Sequence, residues 1–350
     1  MSMNASQKNK VMKPTVFYFV HAHGNGHRAT FNMLYPALSV FFNVIAITTN
    51  NEITAYLHKK HDVQVIELPP KYPADYKIPE HTFSKAFEVT PYAIEPAGRA
   101  KAIAEAIEGY KPKAFYCDGV PELAIMVRGM GVPVVLVHLP GNIMDDPTQV
   151  FAHELADHII AHFPSFLEQA DYQFASKTYY SGYLSKYAGR SLKESKPSDN
   201  VTVLLGYDNY DLSVLKNITK DQSTTFTIIG NKQDYDLGKN CLQLGRVEDI
   251  SKAIVGEIVI SAAGQNTIAE LLSLHKSLIL LPEPRPYNEQ VVHANVLANQ
   301  NIALLAKETF NAEQWQSLLQ KAKASKPFRT DLVNPSSPEA IAQKMRDWYA

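Results

Sequence analysis

A chain of 350 residues with 34 basic and 35 acidic side chains carries a formal net charge of −1, which leaves no electrostatic footprint for nucleic acid. The length suffices for two domains. The two cysteines, Cys117 and Cys241, lie far apart in apolar, strand-like settings, so a disulfide framework is excluded and a reducing compartment is expected. No run approaches the roughly 18 apolar residues of a membrane span.

Residues 1–13 are polar at their start and lack an apolar signal-peptide core, so they are expected to form a disordered lead-in. Strands are expected at Thr15 to His21, Val44 to Thr49, Val63 to Leu68, Ala114 to Cys117, Val132 to Val137 and Ile159 to Ala161. Helical stretches alternate with them: Ala29 to Phe42, Glu52 to Lys60, Ala97 to Tyr110 and Pro121 to Met130. That alternation predicts an α/β unit, a doubly wound parallel sheet covered on both faces, over residues 14–184. Residues 185–200 are polar, charged and poor in apolar side chains, as a linker between domains is. Residues 201–337 repeat the plan, with strands at Thr202 to Leu205, Thr225 to Ile229, Asn240 to Leu244, Glu257 to Ser261, Ser277 to Leu281 and Ile302 to Leu304. A last helix, Pro338 to Tyr349, carries Ile341, Met345 and Trp348 at helical spacing.

Two loops carry chemistry. The first follows the first strand and reads His21-Ala22-His23-Gly24-Asn25-Gly26-His27-Arg28. Gly24 and Gly26 allow a tight turn and close approach of a ligand to the backbone, with Asn25 and Arg28 beside them. The loop delivers His27 to the start of a helix, and Asp118 stands at the carboxyl end of a later strand. An imidazole there can remove a proton from an attacking hydroxyl, with the carboxylate fixing its tautomer. The plainer alternatives are a packing or capping role for His27 and a helix N-cap role for Asp118.

The second loop follows the strand ending at Ser261. It reads Ala262-Ala263-Gly264-Gln265-Asn266, and Thr267 opens the next helix. Unpaired N–H groups of Gly264, Gln265, Asn266 and Thr267 at a helix start make a phosphate or diphosphate site, with Ala263 in the turn. Glu270, one turn along, is placed to accept from a ribose diol; otherwise it is an ordinary exposed carboxylate. The next strand runs into Pro282-Glu283-Pro284-Arg285-Pro286 and then Glu289 and Gln290 at another helix start.

At Ser261, Gly264, Thr267, Glu270, Pro282, Glu289, Gln290, His293 and Ala294, the chain resembles the carboxyl-terminal domain of GT-B glycosyltransferases. The resemblance is to the MurG-like and diacylglycerol-glucosyltransferase-like group, with a glycosyltransferase family 28 C-terminal domain. It is good over about forty residues and thinner elsewhere. The family usually has Gly where His275-Lys276 stands, a difference at a helix C-cap.

The resemblance implies two Rossmann-like domains facing across a cleft, with the last helix, residues 338–350, crossing back to the first. It implies a metal-independent inverting glycosyltransferase with no cofactor. His27 is then the base and Asp118 its orienting partner. Gly245, Arg246 and Val247 face a uracil edge, and Glu289 and Gln290 join the donor site. The donor is a UDP-sugar, less readily a dTDP-sugar. The acceptor is a cell-envelope glycan or lipid hydroxyl; the aromatics and prolines of Tyr72 to Tyr92 would either line its groove or form an ordinary surface loop with packing aromatics. The enzyme is expected in the cytoplasm, with any membrane contact peripheral. His153-Glu154 lacks the second His of a zinc helix, and Asp145-Asp146 diverge in an extended chain, so a metal is not expected. A nucleotide-sugar hydrolase and a noncatalytic sugar-nucleotide-binding subunit stay open as alternatives. The hydrolase pattern G-x-G-H-x-x-R fails here, because Arg28 follows His27 directly.

Overall fold

The computed structural model describes residues 12–22, 25–71, 94–190, 199–206, 210–230, 234–324 and 330–350. Gly24, the acceptor segment Tyr72 to Tyr92 and residues 191–198 of the stretch 185–200 expected to link the domains lie outside the described residues.

The first domain holds β1 Thr15–Phe19, α1 Gly26–Phe41, β2 Asn43–Thr48, α2 Asn51–Lys60, β3 Gln64–Glu67 and α3 Glu95–Tyr110. It continues with β4 Ala114–Cys117, α4 Pro121–Gly129, β5 Val134–His138, α5 Pro147–Leu155, β6 His158–Ala161 and β7 Thr178–Tyr180. The strands form one parallel sheet in the order β3-β2-β1-β4-β5-β6-β7.

The second domain holds β8 Asn200–Leu204, α6 Leu212–Ile218, β9 Thr225–Ile229, β10 Cys241–Gly245, α7 Ile250–Ala253, β11 Ile258–Ser261 and α8 Gln265–Ser273. Then come β12 Ser277–Leu280, α9 Glu289–Asn299, β13 Leu304–Leu305, α10 Ala312–Ala324 and α11 Ser337–Tyr349. This sheet is also parallel, ordered β10-β9-β8-β11-β12-β13.

The two α/β sheets are of the doubly wound kind expected. Their central strands β1, β4, β5, β11 and β12 are apolar runs buried almost throughout, because helices cover both faces. β7, α5, α6, α7 and α10 add to the elements read from sequence. β7 is three half-buried residues, too short to leave a periodic signal.

In each sheet the winding reverses once, between β1 and β4 and between β8 and β11. A crevice opens where loops leave adjacent strands in opposite directions, at their carboxyl ends. The loops at the first crevice carry His27 and Asp118; those at the second carry Gly206 and Ala262–Gly264.

Several contacts join the domains. Ala161, Phe163, Leu167, Tyr183 and Tyr187 share a buried apolar cluster with Ile268, Leu271 and Leu272 of α8. Tyr187 lies in the stretch expected as a linker, yet its ring is buried and its hydroxyl donates to Asp249 at 2.6 Å. The final helix α11 packs on α1: Ile341, Ala342 and Met345 are buried with Phe31, Leu34 and Leu38. Trp348 stacks on His158 at the foot of β6, with ring centroids 3.9 Å apart.

Candidate active site

The β1–α1 loop turns the chain into α1 with Asn25 as N-cap, its side chain making no capping bond. His27 falls in the first turn and points toward the carboxyl end of β4. There its Nδ1 lies 3.0 Å from Asp118 Oδ2, with Asp118 buried and His27 about one-fifth exposed. Burial alone would lower the His27 pKa, but the Asp118 and Glu289 carboxylates outweigh it and the pKa is raised. Burial would raise the Asp118 carboxyl, but His27, then His162 and His21, hold it below its ordinary value. Because Nδ1 faces the carboxylate, Nε2 is the nitrogen left for a reacting proton.

Gly119, directly after Asp118, has φ +83°, the left-handed region that glycine adopts without cost. A Cβ there would stand 3.1 Å from His27 Cε1, so a side chain would also crowd the imidazole. Behind the pair, His162 shares hydrogen bonds with Tyr116 Oη at 3.0 Å and Ser181 Oγ at 3.2 Å. Burial lowers its pKa to about 4, so it is a neutral spacer.

Across the crevice, α8 begins at Gln265, with Gly264 as N-cap, two residues before the start read from sequence. That shift changes what two side chains do. Gln265 Nε2 donates to His162 O at 2.6 Å, and Asn266 Nδ2 donates to Gly26 O at 2.9 Å. Both amides are therefore committed to the domain junction. What the turn offers a ligand is the first-turn N–H groups from Gly264 to Thr267 and the positive end of a nine-residue helix.

Two residues of α9 hold this turn. Gln290 Oε1 accepts from the N–H groups of Ala263 at 3.2 Å and Glu283 at 2.9 Å. His293 Nδ1 is 3.2 Å from Ala263 O, and its Nε2 is 2.6 Å from Tyr183 Oη. Burial lowers the His293 pKa to about 4, so the ring is neutral: Nδ1–H donates to the carbonyl and Nε2 accepts from the tyrosine. Gln290 and His293 thus fix both polar groups of Ala263. Gln290, expected in the donor site, stands at the turn with its carbonyl oxygen engaged in holding it.

Glu289, the first residue of α9, brings a carboxyl close to His27 and Asp118 from the second domain. Burial raises its pKa more than His27 and Arg285 lower it. Arg285 pairs with the buried carboxylate of Glu283. A Cβ on Gly206 would collide with that same carboxyl, so a side chain there would have to displace Glu283 from its pairing with Arg285. Tyr207 to Asn209 lie outside the described residues.

Glu270 is not the exposed carboxylate of the plainer reading: it is mostly buried, and its Oε1 lies 3.1 Å from Lys186 Nζ. The pair lines a cavity of about 380 Å³ with Asn25, Arg28, Asn32 and Tyr56. Arg28 sits over the Tyr56 ring, 5.1 Å from its centroid. Gly245 ends β10 at φ +64°, Arg246 is exposed, and Val247 is half-buried. His275 adopts φ +54° just past α8, the left-handed position where the resembled family carries glycine. Among the described residues, no group of three or more His, Cys, Asp or Glu is placed to hold a metal ion.

Lys186, Gly119 and His162 were missed in the sequence. An Asp-Gly pair after a strand was the available signal for Gly119, whereas nothing local marks Lys186.

Comparison with known proteins bears on this geometry. Residues 246–345 match the glycosyltransferase family 28 C-terminal domain. No curated protein matches the chain. The structure is similar to MurG of Acinetobacter baumannii, with TM-score 0.64, 16% identity, and 95% of this chain and 100% of that chain covered. It is similar to a UDP-glucosyltransferase from Polygonum tinctorium capable of glucosylating indoxyl, with TM-score 0.69, 12% identity, and 96% and 98% coverage. The spinosyn rhamnosyltransferase SpnG, solved with thymidine diphosphate, gives TM-score 0.61 and 15% identity, with 96% of each chain covered. Residues 246–345 of the second domain thus match the glycosyltransferase family 28 C-terminal domain, and the chain as a whole has the GT-B fold of these glycosyltransferases.

Proposed function

We propose that the protein is a metal-independent, inverting transferase that moves a sugar from a UDP-sugar to a hydroxyl of a cell-envelope glycan or lipid. The observation that carries this reading is the His27–Asp118 pair at one crevice, set against the Ala262–Thr267 turn at the other.

In this mechanism, His27 Nε2 takes the proton of the acceptor hydroxyl. The freed oxygen attacks the anomeric carbon while the bond from that carbon to the diphosphate oxygen breaks. A single displacement inverts the anomeric centre. The charge that grows on the diphosphate is met by the N–H groups of Gly264 to Thr267 and the positive end of α8, so no metal is required. Asp118 holds His27 in one tautomer and stabilises the imidazolium. Glu270 accepts from the ribose diol, Gly245 to Val247 border the base, and Glu289 is placed for hydroxyls of the transferred sugar. A cytoplasmic protein touching a membrane at most peripherally belongs to the same reading; among the described residues, no helix is long and apolar enough to cross one. Thymidine diphosphate in SpnG favours a dTDP-sugar as the second reading.

The test is a panel of UDP- and dTDP-sugars with and without envelope acceptors. Acceptor-dependent release of the nucleoside diphosphate supports the transferase. Rapid release without acceptor means a hydrolase, and binding without release means a subunit.

Two variants probe individual parts. Glu270→Ala is expected to weaken UDP binding by about 1.5–3 kcal/mol, the worth of hydrogen bonds to a charged group. Lys186, left without its partner, is already 44% exposed and can be solvated, so the fold should persist. Unchanged UDP affinity by calorimetry in a folded variant removes the ribose assignment. Gly119→Ala strains a left-handed position and pushes on His27. Turnover is expected to fall roughly tenfold through misplacement of the imidazole, with UDP affinity unchanged. Normal turnover would show that the ring has room to shift.

A further inference from the structure

We propose that Lys186 is a positioning residue of the donor site: from the segment between the two domains, it holds one oxygen of Glu270, leaving the other for the ribose. This rests on the reading of Glu270 as the ribose ligand.

The geometry begins with the segment itself. Tyr187 is buried in the apolar cluster between the domains, and its hydroxyl donates to Asp249 Oδ1 at 2.6 Å. That bond ties the segment to the loop after β10, which borders the nucleoside site. Lys186 Nζ lies 4.9 Å from the centroid of the same Tyr187 ring, so the ammonium is supported from below. It reaches Glu270 Oε1 at 3.1 Å, at the edge of the cavity that Arg28 and Asn25 close from the first domain. No bond to Glu270 Oε2 competes with a ligand among the described residues. One lysine thus links three things the donor needs: the ribose carboxylate, the nucleoside loop and the junction between domains.

The chemistry explains why a cation is wanted there. Burial raises the Glu270 pKa, and Asp249 adds to the rise, while Lys186 opposes both. A protonated carboxyl would offer the ribose diol a weaker acceptor than a carboxylate does. Other charged groups on the elements around α8 are Arg28 and His27 on α1, Arg190 over Tyr187, Glu289 at the start of α9, and Asp331 in the turn Thr330–Leu332. Lys186 is the cation in ion-pair contact with Glu270.

The test is titration of the whole protein with uridine, which has no phosphate and does not itself ionise over the range used, from about pH 6 to about pH 8. Lys186→Met is expected to bind uridine about tenfold more weakly at the lower pH. The loss reflects a carboxylate no longer held in place, and the part that comes from the Glu270 carboxyl being pushed higher without its cation recedes as pH rises. Lys186→Arg should bind within about twofold of the native protein, since it restores the charge. Because Lys186→Met leaves the mostly buried Glu270 without its cation, circular dichroism of each variant establishes the fold before titration.

Equal or tighter binding by Lys186→Met overturns the proposal, for the lysine would then be obstructing Glu270. A loss that Lys186→Arg does not repair overturns it too. So does a loss seen with UDP and absent with uridine, because Lys186 would then act on the diphosphate. If Glu270→Ala weakens UDP binding while Lys186→Met leaves uridine binding unchanged, only the role of Lys186 falls. If Glu270→Ala is also without effect, the ribose assignment falls with it.

Discussion

Replacing His27 by alanine is expected to lower turnover by roughly 10²–10⁴, the range that general-base catalysis supplies. In barrier terms this is about 2.7–5.5 kcal/mol. UDP affinity should barely change, because the residues proposed to hold the nucleotide belong to the second domain and the segment before it. Asp118→Asn should cost less, since it weakens the hold on Nδ1 and the stabilisation of the imidazolium but leaves a base in place. Steady-state rates with the identified donor and acceptor, alongside UDP calorimetry, give both arms. Near-normal turnover in a folded His27→Ala protein would move the base elsewhere. His138, the next histidine at a strand end, is a poor substitute. It is fully buried, stacked on Tyr172 with centroids 4.1 Å apart, and its Nε2 lies 3.0 Å from Glu168. To act, it would have to leave that packing.

The surroundings of His27 also fix the direction of the pH dependence. The base must be neutral to accept a proton, and its pKa is raised above the ordinary 6.5 despite burial. The rate should therefore climb with pH through a value above 6.5, and Asp118→Asn should move that limb to lower pH. Stability runs the other way. A histidine with a raised folded pKa contributes stability that is fully present below its unfolded value and lost as pH rises through the folded one. Asp118, whose pKa is lowered from 3.8, loses its contribution as pH falls through its own folded value. Both statements describe one interaction, counted once. The pair therefore stabilises the fold at mildly acidic pH and releases part of that stability where the base becomes active.

The parts of the site legible in the sequence were those set by backbone geometry. A strand, a glycine-containing turn and a helix start place His27, and a second such unit places the Ala262–Thr267 turn. Strand order then brings the ends of β1 and β4 together, which no local pattern encodes. What could not be read was how side chains spend their hydrogen bonds across the junction. Gln265 and Asn266 look like ligand donors in a turn, but the approach of α1 and the end of β6 takes both amides. Gln290 reads as a donor-site residue at a helix start, and no local pattern shows that its carbonyl oxygen also holds Ala263 and Glu283. Lys186 and Glu270 are far apart in sequence, and the polar composition of residues 185–200 concealed the buried Tyr187 that positions the lysine. Periodicity did mark Ile341 and Met345 as one apolar face, and the tertiary structure supplies α1 as the surface that covers it.

Met345→Ala is expected to destabilise the protein by about 2–5 kcal/mol, the cost of emptying a fully buried methionine site. Native domains commonly hold only about 5–15 kcal/mol in total, so the loss is a large share. Its location gives it a second consequence. α11 follows the second domain in the chain yet lies on α1, whose first turn carries His27. The helix thus spans the junction, as do Ser337 Oγ donating to Ser181 O at 2.5 Å and the bond from Tyr183 N to Leu332 O at 2.9 Å. Loosening it should let the first domain open at lower denaturant than the second, splitting one transition into two. The chain has two tryptophans, Trp315 in the second domain and Trp348 stacked on His158 of the first. In a Trp315→Phe background, Trp348 fluorescence follows the docking of α11 alone, while circular dichroism follows both domains. If Met345→Ala costs less than about 1 kcal/mol, or if the two signals remain coincident, α11 is not what couples the domains. The coupling would then rest on the cluster around Tyr183 and Tyr187, which the substitution leaves intact.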